Sequence, residues 1–200
     1  MKQLLTIIVF AMILTACGAG TGGSAKIDIK VGGKDVSLET KTSGTYKNVK
    51  TFTDINGKAT TATTFQVGLA NYEMDPATPL TMSKPLTSPD QVRLMIQLVG
   101  EEGTDSKSEF KPGIYKADPQ QKYMSLNYLA VFQFADGKET NTNFDTSFSA
   151  SKITGQVEIK SVTADTVSGT IDVTEGDKSV KGSFTAKIAV KNRQTSIYQM

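Results

Sequence analysis

Few side chains in this sequence can perform covalent chemistry or hold a metal. The 200 residues include one cysteine, Cys17, and no histidine. The absence of histidine excludes Ser-His-Asp and Cys-His catalysis, the usual zinc and copper sites, and the commonest general base near neutral pH. Carboxylates, lysine, tyrosine, serine and threonine remain as potential catalysts. Because there is no second cysteine, no intramolecular disulfide can form, and the fold must depend on its apolar core.

The residues before Cys17 have the features of an export leader. Lys2 supplies a positive charge near the start, and Leu4 to Leu14 form an apolar run of eleven residues that only Thr6 interrupts. A transmembrane helix needs ~20 apolar residues to cross a hydrocarbon core of ~30 Å, about twice the length of this run. The leader therefore targets the chain for export and does not span a membrane.

The last residues of the leader, Leu14, Thr15 and Ala16, are followed directly by Cys17. This tetrapeptide resembles the lipobox of bacterial lipoproteins, Leu-[Ala/Ser/Thr]-[Gly/Ala]-Cys, at all four positions. The resemblance implies diacylglyceryl transfer to the Cys17 thiol, cleavage between Ala16 and Cys17, and acylation of the new amino terminus. Two or three acyl chains, at ~0.8 kcal/mol per buried CH2, anchor a protein stably where one does not. The alternative is an ordinary secretory leader cut near Ala19.

The residues around the cleavage site indicate where the protein resides. We expect residues 1–16 to be removed as a signal peptide and residues 17–25 to form the lipidated cysteine and a flexible tether. Gly18 to Ala25 is rich in glycine, and such a tether has an r.m.s. span of about 15 Å. The predicted location is the cell envelope, with the protein bound to its membrane. In Gram-negative lipoproteins an Asp after the cysteine tends to retain the protein in the inner membrane, so by resemblance Gly18 favours the outer membrane in such a source.

The exported part, residues 26–200, is predicted to be a single β-rich domain. Its pattern is one of short alternating segments, rich in Thr and Val and separated by Gly, Asn, Asp and Pro, with no sustained helical periodicity. This predicts an all-β fold, an antiparallel β-sandwich or flattened barrel of about ten strands. A lipocalin-like barrel is the second possibility. The formal net charge of the whole chain is only +2, without long runs of either sign, so nucleic acid is not an expected partner.

Two short segments predict hairpin turns, and one of them, together with a later acidic loop, is considered as a metal site. Gly32-Gly33 and the Asn-Gly within Asp54 to Lys58 predict tight hairpins. Asp54 to Gly57 also resembles the start of a calcium loop, but the later ligands of such a loop are missing, so we interpret it as a turn. The acidic loop Glu101 to Glu109 is interpreted as solvated charge. No metal site and no cofactor are therefore predicted.

Residue patterns predict the structure of three segments in the middle of the chain. Gln91 to Val99 alternates as a core strand, whose inward residues would be Val92, Leu94, Ile96 and Leu98, with Arg93, Met95 and Gln97 on the other face. Met74 to Asp90 holds four of the six prolines; it is predicted to be a crossover between two sheets that caps one open end, with a binding loop as the alternative. Phe110 to Ala117 is predicted to be a short edge strand interrupted by Pro112.

Tyr123 to Phe134 is the most aromatic stretch of the chain. Strict alternation places one set of residues on a common face: Met124, Leu126, Tyr128, Phe132 and Phe134. One hypothesis is a central strand whose first face fills the core. The other is a ligand-binding aromatic surface, for which the candidate residues are Tyr123, Tyr128, Phe132 and Phe134.

The last fifty residues contain a repeated template. Ile153 to Ile159, Val167 to Val173 and Val180 to Ala186 each read apolar, polar, Gly, polar, apolar, polar, apolar. This predicts an antiparallel meander with each glycine on the inward face, where the missing side chain permits a bend or the close approach of another sheet. The region loosely resembles the closing strands of small β-sandwich domains in uncharacterised bacterial lipoproteins, through its Gly-Thr-Ile and Gly-Ser-Phe tripeptides. This resemblance implies an architecture and no activity.

Three functions are compatible with these features. The first is a non-catalytic interaction module that binds a protein, glycan or peptide partner. The second is a carrier whose cavity for an apolar molecule is lined by Tyr128, Phe132 and Phe134. The third is a hydrolase based on a carboxylate pair; Glu158 and Asp172 occupy matching template positions but are expected to point to solvent. The favoured hypothesis is a binding protein that is not an enzyme and is attached to the membrane by its lipid.

We predict that Cys17→Ala abolishes lipid attachment. Wild-type protein should incorporate labelled palmitate in growing cells, whereas the variant should not, because only the thiol accepts the diacylglycerol. Thr15→Ser, which keeps the lipobox pattern, is the matched control and should remain labelled. Palmitate incorporation into the Cys17→Ala protein would contradict the anchor.

Overall fold

The computed structural model describes residues 24–74, 84–147 and 150–188, and all regular structure in these ranges is β-strand. The predicted signal peptide, Ala16, Cys17 and nearly all of the tether lie outside the described residues. The strands are β1 (Ala25–Val31), β2 (Lys34–Glu39), β3 (Thr42–Thr53), β4 (Ala59–Ala70), β5 (Val92–Val99), β6 (Gly113–Lys116), β7 (Ser125–Ala135), β8 (Lys138–Phe144), β9 (Ile153–Val162), β10 (Thr166–Glu175) and β11 (Lys178–Lys187). The all-β prediction is confirmed. Within these ranges we find no helix that could cross a bilayer.

All eleven strands belong to one strongly curled sheet that forms a half-barrel. Its order is β2-β1-β11-β10-β9-β6-β7-β5-β4-β3, and β8 pairs with β7 beside this path. The curl brings the β3 end of the sheet against the end of β11, where Thr45 and Ile188 form a parallel bridge and the Lys187 N–H donates to Ser43 Oγ at 3.2 Å. This curled shape agrees with the predicted β-sandwich or flattened barrel.

The inner face of the curl contains the main core. Ile27 and Ile29 of β1, Leu69 of β4, Leu94 of β5 and Val157 of β9 are all at most 2 % exposed and belong to one continuous cluster. Burial of such a side chain contributes about 1.5–3 kcal/mol. The predicted inward residues of β5 are confirmed, because Val92, Leu94, Ile96 and Leu98 all lie in this cluster.

The predicted hairpins are confirmed. Gly32 and Gly33 connect β1 to β2 with φ values of 58° and 71°, and two consecutive positive φ angles are what a two-residue hairpin turn requires. In the β3–β4 turn the Asp54 Oδ1 accepts hydrogen bonds at 2.9 Å from the backbone N–H groups of Asn56 and Lys58. The Asp54 carboxylate therefore stabilises the turn.

The short strand β6 differs from its prediction as an edge strand. It lies inside the sheet, where Gly113 to Lys116 pair antiparallel with β9 and Lys116 pairs with Ser125 of β7 in parallel. The sheet is therefore mixed. The pattern within this segment gives no signal for such a position, because the main partner, β9, is distant in the chain and the pairing with β7, the next strand, is parallel.

The facing of β7 also differs from the prediction, because a β-bulge interrupts its alternation. Leu98 of β5 pairs with Leu126, whereas the preceding residue Gln97 pairs with Tyr128, so Asn127 is an extra residue. After a bulge the alternation changes phase. The inward residues are Leu126, Leu129 and Val131, which belong to the core, while Tyr128, Phe132 and Phe134 face outward.

The repeats form the predicted meander of β9, β10 and β11. The close neighbour at each of these glycines is the backbone of the paired strand and not another sheet, whereas the alternative prediction of a bend agrees with the register shift beside Gly169. A Cβ atom on Gly169 would overlap the carbonyl oxygen of Glu158 on β9, at the position where the β9–β10 register shifts. Gly169 therefore allows the two strands to meet where the sheet bends.

We predict that Gly169→Ala destabilises the protein by about 2–3 kcal/mol, because the β9 backbone must move to admit the methyl group. The control is Gly176→Ala in the β10–β11 turn, where φ is 62° and nothing lies within 4 Å of the added Cβ. That substitution should cost only the left-handed backbone strain of about 1 kcal/mol. Urea unfolding measures both values, and equal losses would contradict the close approach.

Candidate binding face

The outer face of β3, β4, β5 and β7 carries a row of four polar or aromatic side chains. Tyr46 lies opposite Gln66, Gln66 opposite Gln97, and Gln97 opposite Tyr128. We call these four residues the outer row. Neighbouring strands lie ~4.8 Å apart, so three spacings give the row a length of about 14 Å. Tyr46 is 51 % exposed, and the other three residues are half-buried.

Hydrogen bonds hold the side chains at one end of the outer row in place. Asn127, the bulge residue, donates from Nδ2 to the Oε1 of Gln97 at 2.6 Å and accepts at Oδ1 from the Lys50 ammonium at 2.8 Å. The Tyr128 hydroxyl donates to the Oδ1 of Asn143 on β8 at 3.3 Å. Gln66, by contrast, makes no side-chain hydrogen bond to any described residue. In the outer row, Gln97 and Tyr128 are therefore held in place by hydrogen bonds, whereas the Gln66 amide can still form hydrogen bonds with a ligand.

A buried charged cluster lies on the same face beyond the outer row. Arg93, only 2 % exposed, contacts the Glu139 carboxylate at 2.8 Å and donates to the Tyr72 hydroxyl at 2.9 Å and the Lys84 carbonyl at 3.3 Å. Its guanidinium lies over the Phe132 ring, 4.4 Å from the centroid. The buried Arg93 Nε has no partner among the described residues. We call these five residues the arginine cluster.

The arginine cluster attaches the segment between β4 and β5 to the sheet. The Leu86 N–H donates to the Glu139 Oε2 at 2.9 Å, and Leu86 packs with Tyr72 and Met74 in a second apolar cluster against Phe132. This segment joins adjacent antiparallel strands of one sheet, so its prediction as a crossover between two sheets is wrong. Residues 75–83, with Pro76 and Pro79, lie outside the described part.

Two tyrosines near Arg93 have altered acidity. Burial raises the pKa of Tyr72, although the charge and hydrogen bond of Arg93 partly oppose this effect. Burial also raises the pKa of Tyr128, again opposed by Arg93. Both phenols are therefore protonated at neutral pH, and the Tyr128 hydroxyl acts as a hydrogen-bond donor.

The structure brings together three of the four predicted surface residues. Tyr128, Phe132 and Phe134 share the outer face, but Phe132 and Phe134 pack against the second apolar cluster. Tyr123 lies apart, where its ring contacts Phe52 edge to face at 5.3 Å between centroids. Of the four, only Tyr128 belongs to the outer row.

Tyr46, Gln66, Gln97 and Arg93 were not among the residues predicted for a binding surface. A signal for the first two exists, since the Asn-Gly turn sets the β3–β4 register and thereby pairs Tyr46 with Gln66. Arg93 was placed correctly on the outward face of β5, but its near-complete burial depends on Glu139 and Tyr72, which are distant in sequence. Cys17 and Ala16, the predicted lipidation and cleavage residues, lie outside the described part of the chain.

The acidic residues do not form a metal site among the described residues, where no group of three or more His, Cys, Asp or Glu side chains could hold an ion. Glu158 and Asp172 lie on the outer face of the meander with side chains 43 % and 69 % exposed, next to Lys160 and Lys181 respectively. These two carboxylates thus point to solvent, as expected.

Comparison of the chain with known proteins identified no similar protein. No protein-family model matches the chain, and no curated protein or solved structure matches it either. The fold and its outer face alone define the class, an all-β protein built from a single curled sheet.

We predict that Arg93→Ala lowers the free energy of unfolding by about 3 kcal/mol, because Glu139 and the Lys84 carbonyl lose a buried partner. Arg93→Lys should not restore stability, since a single ammonium cannot replace the planar guanidinium across these contacts. The matched control is Lys111→Ala, which breaks the exposed Lys111–Glu101 pair of similar length, 2.6 Å. Denaturant unfolding should show a loss of about 0.5 kcal/mol or less there. Equal losses at both sites would refute the anchoring role of Arg93.

Proposed function

We propose that this protein is a lipid-anchored component of the cell envelope that binds a partner through the outer row and performs no catalysis. The observation that carries the proposal is the outer row itself. Tyr46 presents half of its surface to solvent on a face that the main core does not use. Tyrosine, which combines an apolar ring with a polar hydroxyl, is enriched at recognition surfaces.

The lipobox supports the attachment to a membrane. In this proposal Cys17 carries the lipid, the chain is cut after Ala16, and the first strand starts at Ala25. A glycine-rich tether of this length has an r.m.s. span of about 15 Å. The outer row would therefore meet its partner near the membrane surface, which is the outer membrane in a Gram-negative source.

The carrier hypothesis has less support than the binding module. Tyr128, Phe132 and Phe134, its predicted cavity lining, lie on the outer face, while the interior of the half-barrel is filled by the main core. A cavity of about 10 Å³ beside Phe65 and Tyr115 has room for one water molecule at most. A larger concavity of about 390 Å³ lies on β1, β10 and β11, where Lys26, Ser168 and Phe184 are among its lining residues, and it contains none of the three predicted lining residues. No second function is proposed.

We predict that the mature protein, made with Cys17→Ser and without residues 1–16, cosediments with envelope fragments of its natural host. Tyr46→Ala should weaken this binding at least tenfold, because it removes the most exposed side chain of the outer row. The matched control is Ile114→Ala, which truncates another large exposed side chain, 47 % exposed, on β6. That variant should bind like the unsubstituted protein.

Two outcomes would overturn the proposal. One is the absence of envelope binding at any protein concentration tested. The other is equal binding by the Tyr46→Ala and Ile114→Ala proteins, which would place the partner elsewhere. Far-ultraviolet circular dichroism and urea unfolding establish that each variant is folded.

A further inference from the structure

We infer that the outer row binds a neutral oligosaccharide. This inference rests on the proposed function and assigns a chemical class to its partner. It depends on three properties of the face, namely its charge, its hydrogen-bonding groups and its length.

The centre of the face carries few charges among the described residues. Its exposed members beyond the outer row are three amides, Asn48 on β3 and Asn141 and Asn143 on β8, and one cation, Lys50 on β3. The Lys50 ammonium donates to the neutral Asn127 side chain and keeps its charge, whereas the charge of Arg93 is paired with Glu139 and buried. An anionic ligand would find only this one complementary cation, whereas an uncharged ligand loses no ion hydration on binding.

The hydrogen-bonding groups suit sugar hydroxyls. Each Gln or Asn side chain offers two donor hydrogens and an acceptor oxygen, and a hydroxyl group needs both kinds of partner. Asn127 fixes the orientation of the Gln97 amide by donating to its oxygen, which leaves the Gln97 NH2 group to donate outward. The Gln66 amide, without a partner among the described side chains, offers both functions.

The aromatic rings at the two ends set the length of the ligand. Tyr46 and Tyr128 stand on β3 and β7, about 14 Å apart at three strand spacings. A tyrosine ring combines an apolar body with a polar hydroxyl, so it can pack against the apolar face of a sugar ring and still bond to its hydroxyls. A span of this length fits a short chain of sugars better than a single sugar.

A protein partner fits the face less well. Stable protein interfaces bury about 800 Å² on each side around an apolar centre. On this face Tyr46 is the only exposed large hydrophobic residue among those described, since the other two, Ile55 and Ile114, belong to the β3–β4 turn and to β6. The outer row therefore lacks the apolar centre of a protein interface.

The test is titration of the mature Cys17→Ser protein with chitotetraose and with maltotetraose, followed by isothermal calorimetry and saturation-transfer NMR. We expect at least one of these neutral tetrasaccharides to bind with an affinity independent of salt concentration. Tyr46→Ala and Gln66→Ala should each weaken binding at least tenfold. Tyr46→Phe, which keeps the ring, should retain most of the affinity, and Ile114→Ala should retain all of it.

Four results would overturn the inference. Three concern saccharide binding: no binding of either tetrasaccharide, binding unaffected by both Tyr46→Ala and Gln66→Ala, and exclusive binding of an acidic saccharide such as tetragalacturonate. Envelope binding that depends on Tyr46 but disappears when the fragments are digested with protease would likewise refute a glycan and leave the proposed function standing. Loss of Tyr46-dependent envelope binding would instead remove the proposed function.

Discussion

The apolar face of a single sheet must be buried from water. In this protein the sheet curls, so that its own strands bury that face. The described residues contain no helix, so the inward side chains of the eleven strands pack against one another across the curl. Curling demands bends, and these occur at the irregular positions of the pairing, at Gly169 in the meander and at Asn127 in β7. The bridge between Thr45 and Ile188 is the point where the edge strand β3 meets the end of β11, the third strand from the opposite edge.

Because the main core lies on the inner face of the sheet, side chains on the outer face can be polar or exposed to solvent. It is divided into two parts with different chemistry. One part holds the arginine cluster, where a buried cation is tolerated because Glu139, Tyr72 and the Lys84 carbonyl replace its hydration. The other part, the outer row, remains accessible. The bulge at Asn127 connects the two roles of β7, since it keeps Leu129 in the core and directs an amide toward the row.

The local features of this fold could be predicted from the sequence, and the long-range ones could not. Gly32-Gly33 and the Asn-Gly turn specify their hairpins through backbone geometry alone, and the alternation in β5 separates its two faces correctly. The position of β6 depends on partners in β7 and β9 that no pattern within Phe110 to Ala117 encodes. The bulge in β7 reverses an alternation that is otherwise regular. The candidate face was found in part through Tyr128, but the burial of Arg93 requires knowledge of the tertiary structure.

The pairing of the first strand with one of the last has a consequence for the order in which the fold is completed. Ala25 of β1 pairs with Phe184 of β11, and β1 carries β2 on its other side. The chain is synthesised from its amino end, so β1 and β2 remain an isolated hairpin, which is only marginally stable in water, until β11 has been synthesised. Contacts between residues so distant in sequence also slow folding. The β1–β2 hairpin is therefore the part of the sheet that stays longest without its neighbouring strand during folding.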